Sequence, residues 1–567
     1  MDDTTIIIKQ NRCFKEVIKE LELYEMATEP KVNYAKTKGL WTGSWKGRRV
    51  SPMNNIQWSS TDVENLGIYF GNENPGFKTF QKIVTKFKKR LAYWKQFTLS
   101  KIGKARVTEM FLASKLVYAM KFYPIPAKFQ QEIQNSIFKY VNFPNKVITI
   151  GQKEMWKIKT NGGCKLVNIQ VKSETSKAKW LMEIATNPNF KINLSTFTSI
   201  LGVHKGNTSG RDIIFAQGSF ITRVMKVKSQ FYREALNSLA IFHRRKGIPT
   251  AKDWDNENLF YNPSILGRSG KTLKETEYFR ANGIFKLGQI LREAAKEARG
   301  LPYDKIQANL AKKLTLDMGF PGSDIIKDDT VLMGNTMHAK MASITQKELY
   351  EEAILIKTPT KRDNYQNKWT QEISSVMILW DEVWASVHNL LLSNKTKTAI
   401  WEQLHLNFYT QYSYNKWHKT INSCTLCGKD PTDIYHIILH CDFTNTIFTQ
   451  IEPALLKLFP NTITREEKAF GIVNIKNKPA IMVRNWLTYK IREVILDFER
   501  KAYHNPKVAS VTLFKAKFNQ EIASEVKKLL YRFKHENRMK KFDEIVCFGD
   551  ILCEKVGEEY RLKCVFD

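Results

Sequence analysis

Apolar positions recur at helical spacing along much of this chain, and strand-like runs stand within its first seventy residues. Residues 14–28 place Phe14, Ile18, Leu21 and Met26 or Leu23 on one stripe, which predicts an amphipathic helix. Thr4-Thr5-Ile6-Ile7-Ile8 is β-branched and reads as a strand beside the carboxylates of Asp2 and Asp3. The segment 31–41 is short, basic and strand-like, and Asn65-Leu66-Gly67-Ile68-Tyr69-Phe70 reads as an apolar strand interrupted by glycine. Residues 77–98 then carry Phe77, Phe80, Ile83, Val84, Phe87, Leu91 and Trp94 at helical spacing. A helix over 105–122 stops at Pro124-Ile125-Pro126, because proline cannot continue it. Another follows with Phe129, Ile133, Ile137, Phe138 and Val141 on its core face. From 176 to 395 helical patterns alternate with polar breaks, clearest at 272–298 and 374–392. Phe448, Ile451, Leu455 and Leu458 mark a late helix, and 527–541 a strongly basic one.

Composition bounds the partners. At 567 residues the chain is too long for one core and should hold several domains. Its 43% apolar and 12% aromatic content is that of a folded protein. Lysine and arginine number 89 against 56 acids, a formal charge of +33, and the expected partner is a polyanion such as RNA or DNA. An anionic membrane surface is the competing reading; no secretory signal and no bilayer-length apolar stretch is present, so an intracellular protein of nucleus or cytoplasm is expected, without a membrane or small-molecule partner.

The charge is concentrated. Lys78 to Lys121 contains twelve Lys or Arg against one acid, Glu109. On the 77–98 helix Lys82, Lys86, Lys89 and Arg90 fall away from the apolar stripe, and Lys101, Lys104 and Arg106 follow. Such a face suits phosphate contacts, whose counterion release makes binding salt-dependent.

Eight cysteines are few for this length, and their spacing is unlike a disulfide framework. Cys424, Cys427, His436 and Cys441 form C-x2-C-x8-H-x4-C, three thiolates and an imidazole that suit a closed tetrahedral Zn²⁺ site of structural type. Gly428 permits the turn after the second thiolate, and His440 could compete with His436. Upstream, His405, Tyr409, Tyr412, Tyr414, Lys416, Trp417, His418 and Lys419 interleave aromatic faces with cations, which suits base stacking or a small core. Asp543, Asp550 and Glu554 invite a nuclease reading, but lack the expected motif spacing.

Taken in order, these motifs resemble the reverse transcriptase of LINE-type (non-LTR) retrotransposons from its Asp-Asp motif onward. The resemblance is most specific at 1–8, 33–38, 65–70, 94–106, 162–169 and 424–441. It implies that Asp2 and Asp3 are the polymerase carboxylates for Mg²⁺, that Lys36 (or Lys38) assists the departing pyrophosphate, and that Leu66-Gly67-Ile68 is the primer grip. Trp94, Leu99, Ser100, Gly103 and Lys104 echo a Trp…Leu-Ser-x-x-Gly-Arg thumb pattern, with lysine where arginine is common. Gly162 to Ile169 resembles a Gly-Gly-Leu-Gly-Leu-Pro-Asn-Ile turn, departing at Cys164, Lys165 and Val167. The fold expected is mainly α with a small α+β palm remnant: palm 1–75, helical thumb 76–175, helical connector 176–395, zinc unit 396–465 and basic helical region 466–567. The expected function is RNA/DNA binding through thumb and zinc unit. No polymerase activity is expected, because the upstream catalytic aspartate and fingers precede this segment. A fragment of an active RNA-directed DNA polymerase, or a domesticated interaction protein, are the alternatives.

Overall fold

The computed structural model describes residues 4–10, 12–28, 30–47, 56–144, 150–186, 229–245, 259–260, 273–298, 300–318, 344–358, 364–373, 377–388, 391–407, 423–429, 433–473 and 479–566. The described chain is mostly helical, with three two-stranded sheets. Packing groups it into two compact units, each discontinuous in sequence. One holds Met1–Trp94, Leu112–Ser136 and Ile169–Tyr350; the other holds Lys95–Phe111, Ile137–Asn168 and Glu351–Asp567. No helix among the described residues is long and apolar enough to cross a membrane.

The first unit opens with residues 4–8 in no regular structure, Ile7 94% exposed. The expected strand is absent because no described segment pairs with it. The helix Arg12–Ala27 forms as its periodicity demands, yet only Phe14 of the expected stripe is buried; Leu23 and Met26 lie in solvent. Phe14 packs on Trp58, which stacks on Trp41 with ring centroids 4.3 Å apart. Gly39 allows this: a Cβ there would come within 2.3 Å of the Trp58 ring. The strand expected across 33–38 is a turn instead, closed by Lys36 and Thr37 N–H groups donating to the Asn33 carbonyl, both at 3.0 Å. Pairing starts only at Lys38–Leu40, parallel to Gln57–Ser59.

Asp62–Asn65 and Ile68–Gly71 form an antiparallel hairpin. Leu66 and Gly67, with φ of 50° and 80°, make its two-residue turn, a conformation that favours glycine. Space around the missing Gly67 Cβ is open, so the expected close approach of another backbone is replaced by a turn requirement. The hairpin lies on the helix Pro75–Trp94: Tyr69 N–H donates to Thr79 Oγ1 at 3.0 Å, and Phe80, Val84, Phe87 and Leu91 are buried. The helix Ile169–Thr186 packs against Gln230–Arg245, and their buried Lys177 pairs with Glu234. The pattern at 272–298 resolves into two helices, Glu277–Ala281 and Leu287–Ala298, parted where Gly283 takes φ 65°.

The second unit is built on the long helices Pro479–His504 and Val511–His535. Trp369, Trp384, Trp401 and Trp486 are fully buried in it, and burying side chains of this size supplies much of the stabilisation, about 1.5–3 kcal/mol for even a Phe. The Gly162-Gly163 motif is explained here. Gly162 has φ 81°, a Cβ on it would meet Trp384 and the Tyr365 hydroxyl at 2.9 Å, and its carbonyl accepts from Trp401 Nε1 at 2.7 Å. Arg484, fully buried in this unit, forks onto Glu467 and donates to the Leu455, Phe459 and Asn461 carbonyls.

Candidate metal centre

Two local structures bring the four sulfur and nitrogen donors together. The first is the turn Cys424–Gly428, where Gly428 N–H donates to the Cys424 carbonyl at 2.7 Å and Cys424 N–H to the Lys429 carbonyl at 2.8 Å. Gly428 takes φ 77° with open space around it, so glycine serves backbone conformation alone. The second is the π-helical turn His436–His440 leading into the helix Asp442–Leu458. His436 N–H is fixed by Asp433 Oδ1 at 2.7 Å, and Cys441 N–H donates to the His436 carbonyl at 2.7 Å. Cys441 is the N-cap of the Asp442–Leu458 helix, whose Phe448, Ile451, Leu455 and Leu458 are buried as the pattern foresaw, with Ile447 beside them. Arg484 satisfies carbonyls at its far end, so the helix carrying Cys441 is anchored at both termini.

The donor atoms of Cys424, Cys427, His436 and Cys441 all lie within 4.8 Å of one another. Cys424 and Cys441 sulfurs are 3.9 Å apart, and Cys427 Sγ is 3.3 Å from His436 Nε2. Tetrahedral Zn²⁺, with bonds of about 2.3 Å to sulfur and about 2.0 Å to nitrogen, sets separations of about 3.8 Å and about 3.6 Å. The donors therefore fit such an ion, and could hold a metal such as zinc with no open position for a substrate. Cys424 and Cys441 are buried, and His436 is 7% exposed. Cys441 is held well below the usual thiol range, first by the Cys424 thiol donating to it and then by the Thr444 N–H, the Cys427 thiol and the Phe443 N–H, against the effect of burial. The hydrogen bond to Cys441 and burial push Cys424 up.

His440 is not part of the set. It is 45% exposed at its side chain, with Nε2 3.0 Å from Glu372 and 3.2 Å from Arg465, which directs it away. Glu372 and Arg465 were invisible to spacing arguments, since they come from separate helices.

The nucleic-acid residues expected from sequence divide into two kinds. Lys86, Lys89 and Arg90 are exposed on the Pro75–Trp94 helix, whereas Lys82 pairs with Glu64 of the hairpin and Lys78 with Asp62. Lys101 is bound to Glu402 at 2.6 Å with both side chains largely covered. Lys104 is 5% exposed, donates to the Phe143 carbonyl and lies 5.7 Å over the Tyr140 and Phe143 rings. These two hold the unit together and do not face solvent as expected. Arg106 is exposed. Lys36 is exposed on its turn, and Leu66 is 54% exposed at the hairpin tip. Asp2 and Asp3 lie outside the described residues, as do Tyr409, Tyr412, Tyr414, Lys416, Trp417, His418 and Lys419. His405 is part of the aromatic core, 4.6 Å from the Trp401 ring. Asp543 is taken by Lys555 and the Tyr560 hydroxyl, each at 2.6 Å.

No protein-family model matches the chain. It is similar to the transposon TX1 uncharacterized 149 kDa protein of Xenopus laevis, 20% identical over an alignment of 615 residues that takes in 97% of this chain. The alignment covers 45% of that protein, so the chain spans less than half the length of the curated relative it matches.

Proposed function

We propose that this chain is the thumb-and-zinc portion of a LINE-type reverse transcriptase, derived from a retrotransposon, and that its own activity is to bind RNA or DNA. The observation that carries this reading is the face of the Pro75–Trp94 helix. Its apolar side is buried, while Lys86 and Lys89 are exposed without an ion-pair partner among the described residues, in a chain of charge +33. Similarity to a transposon protein along nearly the whole chain supports the origin. The Cys3His set supports a structural metal that stabilises the unit around it and does no chemistry. Binding is the activity assigned, since the exposed lysines of this face and the net positive charge both call for a polyanion.

The test is equilibrium binding of a labelled single-stranded RNA across a KCl series. Log K should fall linearly with log salt, and changing both Lys86 and Lys89 to Gln should reduce the slope by about 1–2. Absence of binding, or a slope unmoved by salt, contradicts the reading, and so does primer extension in Mg²⁺.

A further inference from the structure

The second unit contains a group of cations that the reading above leaves unused. Arg106, Lys159, Lys397 and His388 come from four separate segments: the helix Lys101–Val107, the 3₁₀ turn Lys159–Asn161, the helix Asn394–Leu404 and the end of the helix Trp380–Val387. Those segments are pinned together. Ile102 N–H donates to Thr398 Oγ1 at 3.2 Å, Lys101 pairs with Glu402, and Trp401 Nε1 donates to the Gly162 carbonyl. Ser393 caps the start of the Asn394–Leu404 helix by accepting from Thr396 N–H at 3.1 Å. The cations therefore occupy set positions and do not sweep through solvent.

Their surroundings are unusual for buried charge. Lys397 is only 8% exposed, and among the described residues no carboxylate pairs with it, with Lys159 or with Arg106. Burial, then Arg106 and Lys165, push Lys159 down, and Glu109, one turn along from Arg106, acts against them. Burial, then Arg106, Lys159 and Arg532, push Lys397 down to about 8. Both His388 ring nitrogens are buried with no hydrogen-bond partner among the described residues, and burial, then Lys159, Lys397 and Arg106, push the group down to about 3. Elsewhere in this unit the buried cations Arg484 and Lys490 meet carboxylates. Lys397, buried with cations for neighbours, costs stability unless an anion answers it.

We propose that Arg106, Lys159 and Lys397, with the His388 ring as a further donor, form a binding site for a phosphate group of a nucleic-acid backbone. Several positive charges match a phosphate better than a single carboxylate, and Arg106, exposed at the edge, supplies the planar fork that phosphate oxygens accept. This inference rests on the nucleic-acid reading above and adds a second point of contact, distinct from the Pro75–Trp94 face.

The test uses the full chain and two variants, Lys397→Met and Lys159→Gln. Inorganic phosphate, added at constant ionic strength, should raise the melting temperature of the wild type and leave both variants unmoved. Each variant should reduce the RNA-binding salt slope by about 0.7 and weaken binding several-fold at low salt. Lys397→Met should melt no lower than wild type without phosphate, since it removes a charge repelled by its neighbours; Lys159→Gln carries the test if that variant fails to fold. RNA binding with the slope unchanged in both variants overturns the site while leaving nucleic-acid binding intact. A phosphate effect that depends on Lys397, in a chain that binds no RNA, overturns the nucleic-acid reading and keeps the anion site.

Discussion

Lys490 and Lys397 are both buried in the second unit, and their environments are opposite. Lys490 sits between Glu493 at 3.0 Å, Glu521 at 2.6 Å and Glu525 at 3.1 Å. Against burial, these acids hold its ammonium charged well above the usual lysine range. Lys397 faces Arg106, Lys159 and Arg532, and its ammonium is pushed the other way. The contrast teaches that burial alone does not reveal what a charge is for. Lys490 is answered by acids within the fold, and Lys397 is not.

Five substitutions test this difference, and the largest effect belongs to the metal ligands. Cys427→Ser should remove metal and lower stability by about 4–5 kcal/mol or more, read by chemical denaturation, because a closed tetrahedral set with three ligands leaves the second unit without its clamp. Lys490→Met comes next, at about 3–5 kcal/mol, since it strands three acids around an apolar side chain. If it costs no more than Lys397→Met, the distinction between the two lysines fails. Gly162→Ala should cost about 1–3 kcal/mol, because the Cβ meets Trp384 and Tyr365 and the backbone is left-handed there. Gly67→Ala, in open space, should show only the conformational part of that cost.

The smallest effect is a pH dependence. Burial raises Glu521, but the Lys490 hydrogen bond and the charges of Lys490, Lys395 and Lys517 outweigh it and hold the carboxyl down to about 2. Its unfolded value is near 4.5, so its contribution is complete above about pH 4.5 and is lost as pH falls toward 2. Glu521→Gln should flatten that limb of an acid titration of stability, and an unchanged limb would show that other carboxylates set it.

How legible each region was in the sequence follows from how local it is. The metal donors lie within one short stretch, Cys424 to Cys441, so spacing alone assembled them; only the choice between His436 and His440 needed Glu372 and Arg465 in place. The helices of Pro75–Trp94, Ala127–Asn142 and Asp442–Leu458 follow apolar periodicity, and the mainly helical, multidomain character was readable for the same reason. Charge without burial misled. Lys101 and Lys104 read as phosphate contacts, yet one is held by Glu402 and the other by the Phe143 carbonyl, partners supplied by distant segments. The amphipathic stripe of Arg12–Ala27 was correct as a helix signal and silent about what covers it. Asn33 and Gly67 had strand-like neighbours but serve turns, because their backbone hydrogen bonds and φ angles decide the local structure. The Arg106, Lys159, Lys397 and His388 group could not be seen at all, since no motif links those four positions.

The most direct check on the account is the metal content of the purified chain by native mass spectrometry, with Cys427→Ser measured beside it. The account predicts one zinc ion per chain in the wild type and none in the variant, with the wild-type ion resistant to dialysis. A metal-free wild-type chain, or a Cys424–Cys441 disulfide in place of bound zinc, would contradict it.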